Sequence, residues 1–150
     1  MDLRDEAMRD RHWKELRFEV KEDFDEASED FSLEKVFELG LNNHAEKVAE
    51  LADNARKELK IEVQLKEIKR MWEEDPIADL DIKVNTSKAN NEAYYKINST
   101  EALYQVIEDH VVKLSNMKSS PYYKQFDDKI DMWENNIAQI TETLELLLAV

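Results

Sequence analysis

Carboxylates are the reactive groups this chain carries in greatest number, 35 Asp and Glu in 150 residues, and that abundance removes their specificity. No pair stands apart in the pattern as a general acid–base couple must, so the plainer reading is a solvated, charged face. From Asp23 to Glu34 the spacing approaches a calcium loop, with Asp23, Asp25 and Glu34 at its first, third and twelfth positions. Its fifth position is Ala27, which offers no side-chain oxygen, and its sixth is Ser28, where the sharp turn calls for Gly. Calcium is therefore disfavoured. His12, His44 and His110 lie far apart, and none is paired with a second ligand type at helical spacing in a zinc pattern. His110 falls on an apolar stripe, where a hydrogen-bonded core or boundary histidine is the expected role. No Ser-His-Asp arrangement emerges, and cysteine is absent, so neither thiol chemistry nor disulfides arise. Gly40 is the one glycine, whereas phosphate-cradling loops and dinucleotide turns need several close together. No catalytic, cofactor-binding or metal-ligating residue is expected. Trp13, Trp72, Phe126, Trp133 and Ile137 all fall on helical apolar stripes and read as packing anchors.

Composition sets the wider bounds. The length suffices for one domain with a real core. Hydrophobic residues make up 42% and charged residues 37%, which describes a globular chain with a heavily charged surface. The net charge of −14 repels phosphate backbones and anionic lipid, so no nucleic acid and no membrane are expected as partners. It suits a basic protein partner, although solubility explains it as well. No segment approaches the ~20 apolar residues of a membrane span, and no secretory signal opens the chain. A soluble intracellular protein is expected. With one Gly and two Pro, tight turns are scarce and long helices must dominate.

The elements follow from periodicity. Asp2–Lys21 reads as a helix with Met8, Trp13, Leu16 and Val20 as its stripe, and the acidic run Val20–Asp30 as an exposed connection. Ser32 caps a short helix with a buried face of Leu33, Val36, Phe37 and Leu39, and Gly40 stops it in a left-handed conformation. The longest stretch, Asn43 to Asp75, has no Gly or Pro and is expected to form a single helix of ~45 Å. Asn43 and Glu46 fit a capping box at its start, and Pro76 closes it. Its first stripe is Ala45, Val48, Ala52, Ala55 and Leu59, and its second is Ile61, Leu65, Ile68 and Trp72. The second lies well around the helix from the first, so the helix either bends near Leu59 or meets different neighbours at its two ends. Leu80, Ile82 and Val84 then alternate with polar residues, as do Tyr95 and Ile97, which predicts a β-hairpin across a polar loop. Asn98 and Glu101 fit a second capping box. The helix beyond carries Leu103, Ile107, His110, Leu114 and Met117, with Val106 and Val111 beside them. Ser120 and Pro121 suit the start of the last helix, whose repeat runs Phe126, Ile130, Trp133, Ile137, Ile140, Leu144 and Leu147. A short turn between two such helices calls for an antiparallel pair. Leu146 to Val150 leaves that helix apolar where the chain stops, so a piece of a longer chain is expected. Leu144, Leu147, Leu148 and Val150 form a candidate exposed association patch through which the isolated piece self-associates.

With these segments laid out, RHWKEL (Arg11–Leu16), LEKVFELGL (Leu33–Leu41), ADNARKELKIE (Ala52–Glu62) and SNMKSSPYYKQFDDKIDMWE (Ser115–Glu134) resemble the linker domain of dynein heavy chains. The form ADNARKELKIE looks like the axonemal branch, and the likeness runs from about Arg9 to Val150. The resemblance implies an interior fragment of a mostly helical bar lying across a ring of AAA+ modules. That bar bends and straightens with the nucleotide state to deliver the power stroke on microtubules, in a cilium or flagellum. The partners it implies are the AAA+ ring of the same heavy chain and the adjoining linker and tail segments. ATP and Mg belong to the rest of that heavy chain, so the fragment itself is not an enzyme. The family's small β-hairpin falls at about the place where the alternation appears here.

The expected fold is therefore mainly α, an elongated helical bundle with long antiparallel helices and one small β-hairpin. Residues 1–75 hold the N-terminal helices including the long one, 76–98 the hairpin region, and 99–150 the helix pair. The alternative function is an acidic helical adaptor that uses the same heptad faces to bind a partner helix.

Overall fold

The computed structural model describes residues 5–74, 82–86, 88–90, 92–97 and 100–149. Helix dominates them: α1 (Asp10–Val20), α2 (Leu33–Glu38), α3 (Ala45–Glu73), α4 (Glu101–Ser119) and α5 (Asp127–Ala149). Strands β1 (Ile82–Thr86) and β2 (Ala93–Ile97) lie between α3 and α4 in the chain. The chain divides within α3 into two compact units, Met1–Lys60 and Ile61–Val150.

In the first unit, the opening helix is shorter than its periodicity predicts and starts at Asp10 rather than Asp2. Asp5 is the reason. Its Oδ1 accepts the Ala7 N–H at 3.0 Å and its carbonyl accepts the Met8 N–H at 3.0 Å. This local turn competes with helix for the same donors. Ala7 and Met8 are buried from that turn, beside Trp13 and Leu16 of α1. Lys21 ends α1 with a left-handed φ of 55°.

The acidic run that follows is not simply an exposed connection. Phe24 within it is buried, and its ring stacks on Phe31 with centroids 5.6 Å apart. Trp13 meets both rings edge-on, at 6.3 and 6.0 Å. Phe24 thus anchors a mostly acidic segment to Trp13 and to Phe31 just beyond it.

Ser32 caps α2 by accepting the Lys35 N–H at 3.3 Å. The helix turns only Val36, and Leu39 just beyond it, toward the core, while Leu33 and Phe37 are exposed. The four-residue buried face expected here is therefore reduced to two partly buried side chains. Leu33, Val36 and Phe37 share one face by spacing, so which part of it is covered is set by how the chain enters and leaves so short a helix. Gly40 is left-handed at φ 68°, and its carbonyl accepts the Asn43 N–H at 2.9 Å. That bond closes a 3-10 turn over Leu41–His44. Asn43 is already helical for this reason, and the capping box expected there does not open α3. Val48, Leu51, Ala52 and Ala55 of α3 are buried in this first core with Leu41, whereas Ala45 is exposed.

The second unit has its own core. Ile61, Leu65 and Ile68 of α3 share it with Leu103, Ile107, Leu114 and Met117 of α4. Phe126 and, from α5, Ile130, Trp133, Ile137 and Leu144 complete it. The first α3 stripe ends in one cluster with Leu59 and the second begins in the other with Ile61. The two ends of α3 thus meet different neighbours, one of the two readings offered for it. Each large apolar side chain buried in this way contributes about 1.5–3 kcal/mol.

Thr100 occupies the N-cap of α4 and makes no side-chain cap. The start of the last helix differs from expectation. Ser120 Oγ accepts the Tyr122 N–H at 3.3 Å and opens a turn rather than a helix. A 3-10 turn, Tyr123–Phe126, then precedes α5 at Asp127. Lys118 fastens the two helices: its Nζ lies 2.6 Å from Asp131 Oδ1 and 2.6 Å from Glu134 Oε2. Hydrogen bonding to Asp131 and then Glu134 raises the Lys118 ammonium above the usual lysine range. Val111, beside the α4 stripe, is exposed. Leu144 is 4% exposed and belongs to the core, so it drops out of the expected association patch. Leu146, Leu147 and Leu148 are exposed.

β1 and β2 pair antiparallel, with Ile82 opposite Ile97, Val84 opposite Tyr95 and Thr86 opposite Ala93. Pro76 as helix stop, Leu80 as first strand residue, Asn98 as cap and Val150 in the patch all lie outside the described residues.

Candidate functional site

Two histidines are the buried polar side chains among the described residues, one in each unit. α1 places His12 with its Nδ1 accepting the Arg9 N–H at 3.0 Å. That bond requires a lone pair on Nδ1, so the neutral ring carries its proton on Nε2. Nε2 stands 3.1 Å from Glu58 Oε2, close enough for attraction but without the alignment of a full hydrogen bond. Arg11 holds the same oxygen, with Nε at 2.8 Å and Nη2 as a second contact. Burial drives the His12 pKa down, against the pull of the Glu58 carboxylate.

His110 lies on the α4 stripe, and its Nδ1 accepts the Trp72 indole N–H at 2.9 Å. The rings meet at a steep angle with centroids 6.0 Å apart. Burial again lowers the pKa, assisted by the Lys113 charge and opposed by Asp109 and Glu67. This is the hydrogen-bonded core histidine that the stripe implies.

A histidine beside a carboxylate resembles a base with its orienting group, and a nucleophile would have to complete it. Neither imidazole receives or gives a hydrogen bond to a Ser or Thr hydroxyl among the described contacts, and both rings are shut from solvent. What each imidazole does is accept a hydrogen bond inside its unit, from the Arg9 N–H to His12 and from the Trp72 indole N–H to His110. Trp72→Phe keeps the apolar contact but removes the donor to a buried nitrogen. It is expected to cost about 1–3 kcal/mol in urea denaturation, and unchanged stability would mean the bond contributes nothing.

The remaining sites from the sequence disperse. His44 sits in the 3-10 turn before α3, away from the other two in the chain. Asp25 Oδ1 accepts the Ala27 N–H at 3.0 Å, so the supposed calcium loop spends a ligand on its own backbone. No group of three His, Asp or Glu placed to hold a metal occurs among the described residues. No helix among them is long and apolar enough to cross a membrane. Of the expected anchors, Trp13, Phe126, Trp133 and Ile137 are buried and Trp72 is half-buried. Sequence reasoning missed His12 with Glu58 and Arg11. A signal existed in the i, i+3 spacing of Arg9 and His12, because a side chain at that distance reaches back to a helix N-terminus.

One open hollow of about 490 Å³ lies in the first unit, lined by Phe24, Phe31, Ser32 and the charged residues Asp25, Asp30, Glu34, Lys35 and Glu38 among others. Its lining sets two aromatic rings beside four carboxylates and one ammonium.

The comparisons with known proteins agree along the whole chain. It is 40% identical over 149 residues to dynein axonemal heavy chain 2 of Homo sapiens, covering 99% of this chain and 3% of that protein. It is 38% identical over 149 residues to the dynein-1-beta heavy chain of the flagellar inner arm I1 complex of Chlamydomonas reinhardtii, with the same coverage. Dynein axonemal heavy chain 10 of Homo sapiens is 33% identical over 150 residues, covering 100% of this chain and 3% of that protein. The chain thus spans 3% of the length of these relatives. The sequence pattern of the family described as dynein heavy chain, N-terminal region 2, matches residues 1–150, and the chain belongs to that family.

Proposed function

We propose that this chain is a segment of the linker of an axonemal dynein heavy chain, transmitting force from an AAA+ ring on the same polypeptide. One observation supports this above the rest: the match to the N-terminal region 2 family covers the full chain. The helices suit the role, because α3, α4 and α5 run for 29, 19 and 23 residues without glycine and share one packed core in the second unit. Force is carried by elements that resist bending, and close-packed interiors transmit strain. The antiparallel α4–α5 pair and the hairpin of β1 and β2 correspond, in this reading, to parts of the linker bar. Its partners are the ring and the adjoining linker and tail segments, and its place is the axoneme of a cilium or flagellum. Nucleotide chemistry lies elsewhere in the heavy chain.

The adaptor alternative needs open heptad faces. Ile130, Trp133 and Ile137 are instead buried within the chain's own core. In the full heavy chain, Trp133→Ala with Ile137→Ala should slow microtubule gliding several-fold while ATP turnover persists. Unaltered gliding at normal expression would overturn the mechanical reading. The isolated chain should give no heat when titrated with ATP and Mg. Micromolar binding there would move a nucleotide site into this segment.

A further inference from the structure

The first unit leaves an apolar ridge on its surface. Leu33 and Phe37 stand one helical turn apart on α2, 64% and 59% exposed. At about 100° per residue, Glu34 and Glu38 form a second ridge directly beside them. Both carboxylates of that ridge also line the open hollow, together with Asp25 and Asp30. Lys35 is the cation of the hollow's lining, and it is paired with Glu38 at 3.3 Å. Phe24 and Phe31, stacked on each other, are the hollow's aromatic lining. Phe24 already receives one cation, since the Arg17 guanidinium lies 5.6 Å from its ring centroid.

We propose that the α2 ridge and the adjoining hollow dock a basic amphipathic segment of a partner polypeptide. Its apolar side chains cover Leu33 and Phe37, and a Lys or Arg side chain enters the hollow. Charge complementarity selects this occupant. Four carboxylates against one paired lysine favour a cation, and an aromatic lining adds attraction that water does not offer. Parallel apolar and acidic ridges match a helix carrying apolar and basic rows side by side. A second copy of this chain is a poor occupant, because each carries a net charge of −14. The proposal is independent of the linker reading.

A suitable probe is a helical peptide of about 18 residues with Leu on one face and Lys on the other, titrated into the chain and followed by fluorescence anisotropy. Leu33→Ser with Phe37→Ser leaves the charge of the chain unchanged and alters only exposed side chains. It should weaken binding at least about tenfold, with circular dichroism unaltered. Glu34→Gln with Glu38→Gln should weaken it comparably, and the same peptide with Glu in place of Lys should not bind. Binding unaffected by the Leu33 and Phe37 changes would mean that net charge alone holds the peptide, which overturns the docking surface. Equal binding of the Glu peptide overturns the basic occupant, as does no binding of the Lys peptide at millimolar concentration. Sedimentation of the chain alone is the remaining arm. Self-association abolished by Leu33→Ser with Phe37→Ser would make the occupant a second copy and overturn the proposal.

Discussion

Trp133→Ala should destabilise the second unit by about 3–5 kcal/mol, the range for removing a buried large aromatic side chain. The residue is 5% exposed and lies between Ile130 and Ile137, which are also buried. An indole is too large a loss for these neighbours to fill by small shifts, so a cavity remains and its lining loses contacts outright. Met132 is the internal control. It is adjacent in sequence on the same helix but exposed, and Met132→Ala should stay within about 0.5 kcal/mol of the parent. Urea denaturation followed by circular dichroism compares the two. Equal effects would mean that the α5 stripe is not a core, and the adaptor reading would recover.

The contrast between Trp133 and Phe37 shows what periodicity could and could not convey. Over α4 and α5 the apolar spacing repeats for several turns, and the burial of Leu103, Ile107, Leu114, Ile130 and Ile137 follows from it. Over α2 there are only six residues, and Leu33 and Phe37 read as core from their type alone. Which face of so short a helix is covered depends on where Ser32 and Gly40 direct the chain, a tertiary fact. Phe24 failed the other way. Its neighbours Asp23 and Asp25 hide it in a solvated pattern, yet Trp13 and Phe31 supply partners that no local window contains. Starts of elements were misplaced wherever a side chain or a glycine set up a competing turn, as Asp5, Gly40 and Ser120 do. Of the histidines, His110 was legible because it shares the α4 stripe. His12 was not, because its partner Glu58 lies on α3, distant in sequence.

Acidification below pH 6.5 should weaken the fold, and the buried histidines should be the cause. Burial lowers the pKa of both His12 and His110 below the ordinary value of 6.5. Between that value and each lowered one, the unfolded chain binds a proton that the folded chain refuses. Unfolding then takes up protons, so stability rises with pH across the window and falls as pH drops through it. The histidine contribution is fully present above 6.5 and is lost downward from there until the folded ring protonates too. The slope is at most about 1.4 kcal/mol per pH unit for each histidine. Asp5 and Asp109 act separately. Their pKa values are lowered from 3.8, chiefly by hydrogen bonds from the Ala7 backbone and the Lys113 side chain, so their contributions fade only in stronger acid. His12→Asn with His110→Asn keeps an acceptor near each Nδ1 position and removes the titration. This variant should be less stable at neutral pH and should show a flatter decline from pH 7.5 to 5, by about 1–3 kcal/mol per pH unit where both rings refuse the proton. In the parent chain, NMR titration of the two imidazoles should place both midpoints below 6.5. Parallel stability curves for parent and variant, or midpoints at or above 6.5, would remove the histidines from the acid response and leave the relief or growth of net charge to explain it.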